Sequence, residues 1–310
     1  MRSALLLLAL GFTAGCDLAE EDFRPDVVVE GVLIAEEPMT SVRLSESAPI
    51  GEVYAFERQA LSGATVRVVL LSASGESEQT VRFVEDVGGT GTNGGPGVYV
   101  PELRPKPVVQ AGRRYRLEVE VPGERGLVPP GTLVRAETTV PDTFRIEAQP
   151  PPAISYDIDA PSPALDVTSS DAPGRQAIFV FNIRALEPER YPLTPLAAAF
   201  VEDGDLDAEN LTSTSSPILN EANYARNADG TLRLRVPWFA INYFGPNVFT
   251  VNALDDALYD FLRSRNAQFN PTTLSPGEIQ RVLSNVEHGL GLFGSLARAR
   301  ADAVDVLPPR

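Results

Sequence analysis

The stretch RRYRLEVEVP, residues 113–122, leaves the backbone little choice. Tyr115, Leu117, Val119 and Val121 alternate with Arg114, Arg116, Glu118 and Glu120. A period of two sends the apolar side chains to one face and the charges to the other, which is the signature of a half-buried β-strand. A helix would scatter both sets around its axis. Similar short runs precede and follow it: PDVVVEGVLI (25–34), SVRLSES (41–47), ATVRVVLLSAS (64–74), QTVRFVED (79–86), GVYVPE (97–102) and VRAETTVP (134–141). That makes about seven strands with turn signals between them, the pattern of a sandwich. The 27 prolines and 24 glycines fit many short strands and turns better than a helical bundle.

These strands assign residues 25–141 to a first β domain, and a Pro-rich, polar junction follows over 142–174. Residues 175–310 read as a second, mostly β domain. It opens on RQAIFVFNIRAL (175–186), and Glu187 to Gly230 reads as mostly irregular. TLRLRVPWFAI (231–241) and NVFTVNAL (247–254) are its next strands. ALDDALYDFLRSR (253–265) has helical spacing, with Leu254, Leu258, Phe261 and Leu262 on one stripe. Asn252 is a suitable N-cap, and the charges at both ends complement the macrodipole. SPGE (275–278) is a capping box and predicts a second, short helix to about Leu283. The segment SNVEHGLGLFGS (284–295) has too much glycine for a helix and too much leucine for a free loop, so it reads as a packed last strand or turn.

The first 15 residues have the layout of a signal peptide: Arg2, an apolar run too short to span a bilayer, then Thr13, Ala14 and Gly15. Cys16 follows, the chain's only cysteine, so an intramolecular disulfide is excluded. Small residues before a cysteine resemble the lipobox of bacterial lipoproteins. That resemblance implies cleavage before Cys16 and lipid on its sulfur and new amino terminus. Residues 16–24 then form an acidic tether with Asp17, Glu20, Glu21 and Asp22. It resembles the export signal of surface-exposed lipoproteins, which favours the outer face of the outer membrane over the periplasmic face. The net charge of −16 argues against a nucleic-acid partner, because such binding relies on Lys and Arg neutralising phosphates.

The residues restrict the chemistry. One histidine, His288, lies in a Gly-rich apolar segment without a nucleophile motif, so it reads as structural. A zinc site needs clustered Cys and His, and the chain has one of each, far apart. GTGTNG (89–94) matches the dinucleotide fingerprint in spacing, but Gly-Pro-Gly and a strand follow it in place of a helix. DGDLDAEN (203–210) presents Asp203, Asp205, Asp207 and Glu209 as oxygen donors for Ca²⁺, although Ala208 and Thr214 occupy the positions where an EF-hand needs Gly and Glu. The reading favoured here is a solvated acidic loop without cofactor. Trp238, Tyr243 and Phe244 could stack on a ligand or partner, but aromatics on a strand are more often core.

Two resemblances add to this. SGATVRV (62–68) and AGRRYRLEVE (111–120) are similar to Ig-like or transthyretin-like modules of extracellular bacterial proteins. Residues 243–264 (YFGPNVFTVNALDDALYDFLRS) and 284–295, with 27–38 (VVVEGVLIAEEP), resemble the uncharacterised lipoproteins of domain-of-unknown-function family 4249. The resemblance implies an outer-membrane lipoprotein, often encoded beside TonB-dependent receptors, and it transfers no catalytic residues. The expectation is therefore a mainly β, lipid-anchored, non-enzymatic binding protein that assists TonB-dependent uptake. The alternatives are a carboxylate-based surface hydrolase with Ca²⁺ at the acidic loop, and a structural envelope lipoprotein. An exposed apolar or aromatic patch on the second domain would favour binding. A cleft with two facing acids would favour hydrolysis.

Overall fold

A computed structural model describes residues 23–49, 51–89, 94–123, 132–170, 177–203, 207–269 and 281–309. The leader, Cys16, nearly all of the tether, Asp205 and the expected SPGE helix start lie outside these residues.

The expected N-terminal strands all form. They are β1 (Val27–Ile34), β2 (Val42–Glu46), β3 (Thr65–Leu71), β4 (Ser77–Glu85), β5 (Val98–Pro101), β6 (Arg114–Glu120) and β7 (Leu133–Thr139), with one helical turn, α1 (Phe56–Gln59), between β2 and β3. In β6, Tyr115, Leu117 and Val119 are buried as the alternation requires. Arg116 and Glu118 on the opposite face pair at 3.0 Å, and Arg116 reaches Glu137 of β7 at 3.7 Å.

The Pro-rich stretch 142–174 is more regular than its composition suggests. It holds β8 (Ile146–Ala148), β9 (Ala153–Ser155) and β10 (Ala164–Val167). Beyond it come β11 (Ile178–Ala185), the helix α2 (Pro195–Glu202), β12 (Ser213–Ser215), β13 (Leu219–Asn220), β14 (Leu232–Arg235), β15 (Gly245–Leu254), the helix α3 (Asp256–Phe269), β16 (Val286–Glu287), β17 (Leu290–Arg300) and β18 (Val304–Leu307). The protein is mainly β, as expected. β8, β10 and β14 form a small separate sheet, clasped on its exposed side by Arg233, which forks onto Asp166 at 2.8 and 2.7 Å. This pairing holds the Asp166 carboxyl below the usual carboxylate range.

The other strands belong to one curled sheet that crosses from the N-terminal half into the C-terminal half, with β12, β11, β15, β17, β1, β2, β5, β4, β3, β6, β7 and β16 in spatial order. The crossing is made by β17, which lies between β15 and β1. It runs antiparallel to β15 and parallel to β1, with Val28 opposite Leu290 and Ile34 opposite Leu296. At the far edge β16, which a short turn joins to β17, pairs with β7. The sheet thus curls until β7 approaches β17, and the inward residues of both halves share one core that includes Val29, Leu44, Leu117, Phe179, Phe249 and Phe293. The segment 284–295 is therefore packed, as read from its composition, but it holds β16, a turn and the first half of β17, and β18 still follows.

Helix α3 covers the outer face of β11, β15 and β17. Leu258 joins Ile178, Val180, Leu254, Leu292 and Leu296 in a second cluster, with Phe261 and Leu262 packed against it. Its N-cap differs from the expected one. Asn252 still belongs to β15, where its amide donates to Asn182 Oδ1 at 2.6 Å and its Oδ1 accepts from Arg298 Nε at 2.9 Å. Burial there lowers the Arg298 guanidinium pKa, and Glu37 acts against that shift. Asp255 is the cap in its place: Oδ1 accepts from the Leu258 N–H at 2.8 Å.

Candidate functional site

Helix α2 lies in the stretch read from sequence as irregular. Thr194 precedes Pro195, and Pro is well suited to the first helical position because it has no N–H to leave unpaired. The Leu-Ala-Ala-Ala run that follows has high helix propensity. The helix is fastened at its start. Buried Thr194 donates from Oγ1 to the Ile241 carbonyl at 2.9 Å, and its N–H donates to the Asn242 carbonyl at 2.8 Å. Ala197 faces inward and packs with Leu211 and Tyr243.

The outward face of α2 is apolar as well. Leu196, Ala199 and Phe200 are exposed, Phe200 by 41%. Spacings of three and four place them on one stripe, where a soluble helix usually carries charge. Beside this stripe lies an open cavity of about 690 Å³, lined by Ser155, Tyr156, Asp157 and Ile158 on one wall, Pro195, Leu196 and Ala199 on the other, and Pro309 from the C-terminal tail. Ile158 on the rim is 66% exposed. The size and the mostly apolar lining, with few polar groups, are those of a ligand or peptide site.

The floor of the cavity is rigid. The Tyr156 ring meets Trp238 edge-to-face at 5.4 Å and Phe244 at 5.8 Å. Trp238 donates its indole N–H to the Ala160 carbonyl at 3.1 Å. The Tyr156 hydroxyl is buried and has no hydrogen-bond partner among the described residues.

The aromatics singled out in the sequence therefore support the site without forming its surface. Trp238, Tyr243 and Phe244 are all buried, and Tyr243 donates its hydroxyl to the Ala208 carbonyl at 2.9 Å. Stacking on a ligand is the less favoured reading of these three from sequence, and in the structure they pack in the core against Tyr156, Ala197 and Leu211. The exposed aromatic of that stretch is Phe239, at 65%. Sequence reading missed α2, Tyr156 and Ile158. The Thr-Pro start and the alanine run were the available signal for α2; nothing local marked the other two.

Of the acidic candidates, Asp203 ends α2, with its N–H donating to the Ala199 carbonyl at 2.9 Å, and Asp207 and Glu209 stand at the 3₁₀ turn Ala208–Thr212. Among the described residues no three acids, His or Cys come together as a metal site. His288 is exposed and takes φ 59° in the turn between β16 and β17. Most of the Gly89–Gly94 segment, residues 90–93, lies outside the described residues, and the next described element is the strand β5, not a helix that could receive a pyrophosphate.

A second cavity of about 480 Å³ includes Glu137, Thr138, Asp255, Asp256, Asp260 and Asn285 in its lining. Its deepest acid is already engaged. While Oδ1 of Asp255 caps α3, Oδ2 accepts from Thr138 Oγ1 at 2.5 Å, and Thr138 lies 2.6 Å from Ser295 Oγ. This Asp255–Thr138–Ser295 chain ties α3, β7 and β17 together.

Comparison with known proteins adds a family. No curated protein matches the chain. Among solved structures, a Salmonella alpha-2-macroglobulin reacted with methylamine is 11% identical, covering 91% of this chain and 15% of that one at TM-score 0.24. Three N-terminal domains of the bacteriophage RB49 outer capsid protein Hoc are 9% identical, covering 92% and 71% at TM-score 0.23. A Parabacteroides merdae β-glucuronidase is 11% identical, covering 74% and 23% at TM-score 0.18. This chain thus spans only a small part of the macroglobulin and the glucuronidase, and at such TM-scores none of the three lends it a function. A family model described as Domain of unknown function (DUF4249), in contrast, matches residues 16–301, through the β1–β17 seam, α2 and α3 alike. The chain belongs to the DUF4249 family.

Proposed function

We propose that this protein is a lipid-anchored outer-membrane lipoprotein that acts by binding and not by catalysis, docking a partner in the groove beside α2. The observation that carries the reading is the exposed Leu196–Ala199–Phe200 stripe beside an open, mostly apolar cavity. Apolar surface exposed next to a concave wall marks interaction sites. The resemblance noted in the sequence supplies the partner class, a TonB-dependent receptor, and the lipobox-like Cys16 supplies the attachment. Among the described residues no helix is long and apolar enough to cross a membrane. Attachment through the Cys16 lipid is consistent with that.

The test is to draw the tagged protein from its native membrane in mild detergent and measure what accompanies it. A barrel receptor should co-purify in comparable amount. Leu196→Asp combined with Phe200→Asp should reduce its recovery by roughly tenfold or more, because burying a carboxylate in an apolar contact is costly. Both side chains are exposed, so the thermal midpoint should hardly move. Recovery of the protein alone from its native membrane, or equal recovery of receptor with the double variant, would remove the support for this reading.

A further inference from the structure

The end of the molecule where β1 begins carries a second apolar surface. Val53 is 78% exposed, and Tyr54, Leu283 and Leu290 are exposed with it. Three of these line one open cavity of about 630 Å³ together with Val28 and Phe261, and its single charged lining residue is Arg265. The parts are held in place from four directions. Leu290 stands opposite Val28 in the parallel seam. Tyr54 lies 3.0 Å from Ser45 of β2, oxygen to oxygen. The Leu283 N–H donates to Ser264 of α3 at 2.8 Å. Asp26 and Ser47 tie the start of β1 to the end of β2 with reciprocal bonds of 2.9 Å.

The chain leading to Cys16 leaves from this same end. Seven residue steps separate Cys16 from Phe23, the first described residue. At full extension they reach at most about 25 Å. A lipid on Cys16 would therefore keep this pole within about 25 Å of the leaflet. Tyrosine and arginine beside aliphatic side chains are the residues that settle at the lipid–water interface.

Strand order places the α2 groove at the opposite end. β17 starts at Leu290 beside the pole, pairs with β15 from Leu296–Leu254 to Arg300–Thr250, and is continued along the same strand by β18, where Val304 faces Asn247 and Val306 faces Gly245. Pro309, just beyond, lines the groove. From Leu290 to Val306 the path covers roughly 50 Å at about 3.3 Å per residue.

We propose that Val53, Tyr54, Leu283 and Leu290 form a lipid-contact surface, resting on the headgroups of the leaflet that holds the Cys16 lipid, so that the body stands upright with the α2 groove at its far end. This rests on the reading that Cys16 is lipidated. It adds that the body has one orientation on the membrane and does not swing freely on its tether.

The chain's single tryptophan makes the test direct, because Trp238 sits at the groove end against Tyr156. The lipidated full-length protein is reconstituted into phosphatidylcholine vesicles containing headgroup-nitroxide lipid, and flotation confirms that it is bound. Emission of native Trp238 should be unquenched. A Tyr54→Trp, Trp238→Phe chain should lose emission roughly twofold or more, since an indole at that site would sit at headgroup depth. A Val53→Cys chain carrying an environment-sensitive dye repeats the measurement without touching the core. Quenching of Trp238, or no quenching at position 54 and no response at 53 in a chain that floats, overturns the proposal. So does dimerisation of the Cys16→Ala chain through this patch, which would make it a subunit interface. Failure of the wild-type chain to float sinks the anchoring reading itself and the proposal with it, and flotation alone reports that outcome.

Discussion

Gly291→Ala should destabilise the protein by about 3 kcal/mol, the largest effect of a single added methyl that the structure implies. Gly291 adopts φ 105°, a region that side-chain-bearing residues avoid, and a Cβ there would collide with the Val29 carbonyl oxygen of β1. The neighbouring atom is backbone and cannot swing aside. Moving it would pull Val29 out of the seam in which it faces Gly291. Urea unfolding should show a lower midpoint with an unchanged slope. Gly230→Ala is the control. It has φ 85° but nothing within 4 Å of the added carbon, so only backbone strain is felt. Its cost should be about 1 kcal/mol. Equal losses in the two variants would show that the close approach of β1 and β17 contributes little.

Asp255→Ala should cost about 3 kcal/mol, from the lost helix cap together with the buried hydroxyls left short of an acceptor. The carboxylate serves two elements at once, the α3 backbone through Leu258 and β7 through Thr138. Asp255→Asn should cost less, because the amide oxygen can still cap Leu258 and the Thr138 hydroxyl can turn to accept from the amide nitrogen. Hydrogen exchange should then rise in α3 and β7 together, since the same side chain fastens both. If Asn proved as damaging as Ala, the negative charge and not the bonding pattern would be what matters. If exchange rose in α3 alone, the tie to β7 would carry no weight.

The N-terminal strands were legible because alternation is a local signal. Each of Val42, Leu44, Tyr115, Leu117 and Val119 faces the core where period two places it. The helix α3 was legible for the same reason, yet its first turn was not. Asn252 and Asp255 are both good caps by type, and only the pairing of β15 with β17 as far as Leu254 decides that the strand outlasts Asn252. Helix α2 had its Thr-Pro start and its alanines, but the irregular, acidic stretch around it hid them. The groove itself had no local signal. Tyr156 and Ile158 come from a Pro-rich segment, Leu196 and Ala199 from α2, and Pro309 from the end of the chain. Trp238 drew notice as an aromatic on its own, and tertiary packing turned it into the floor under Tyr156.

By itself the sequence determined the mainly β class, the seven N-terminal strands, the apolar stripe of α3, the DUF4249 resemblance and the leader-like start with its lone Cys16. All of these are written within a few neighbouring residues, where periodicity, turn chemistry and spacing act directly. Tertiary structure alone decided that the first long strand pairs with the last, Val28 against Leu290, and that the sheet curls until Thr138 meets Ser295. It also decided that two apolar surfaces end up at opposite poles. Strand partners and shared faces are chosen by the burial of side chains far apart in the chain, and no local pattern of residues records that choice.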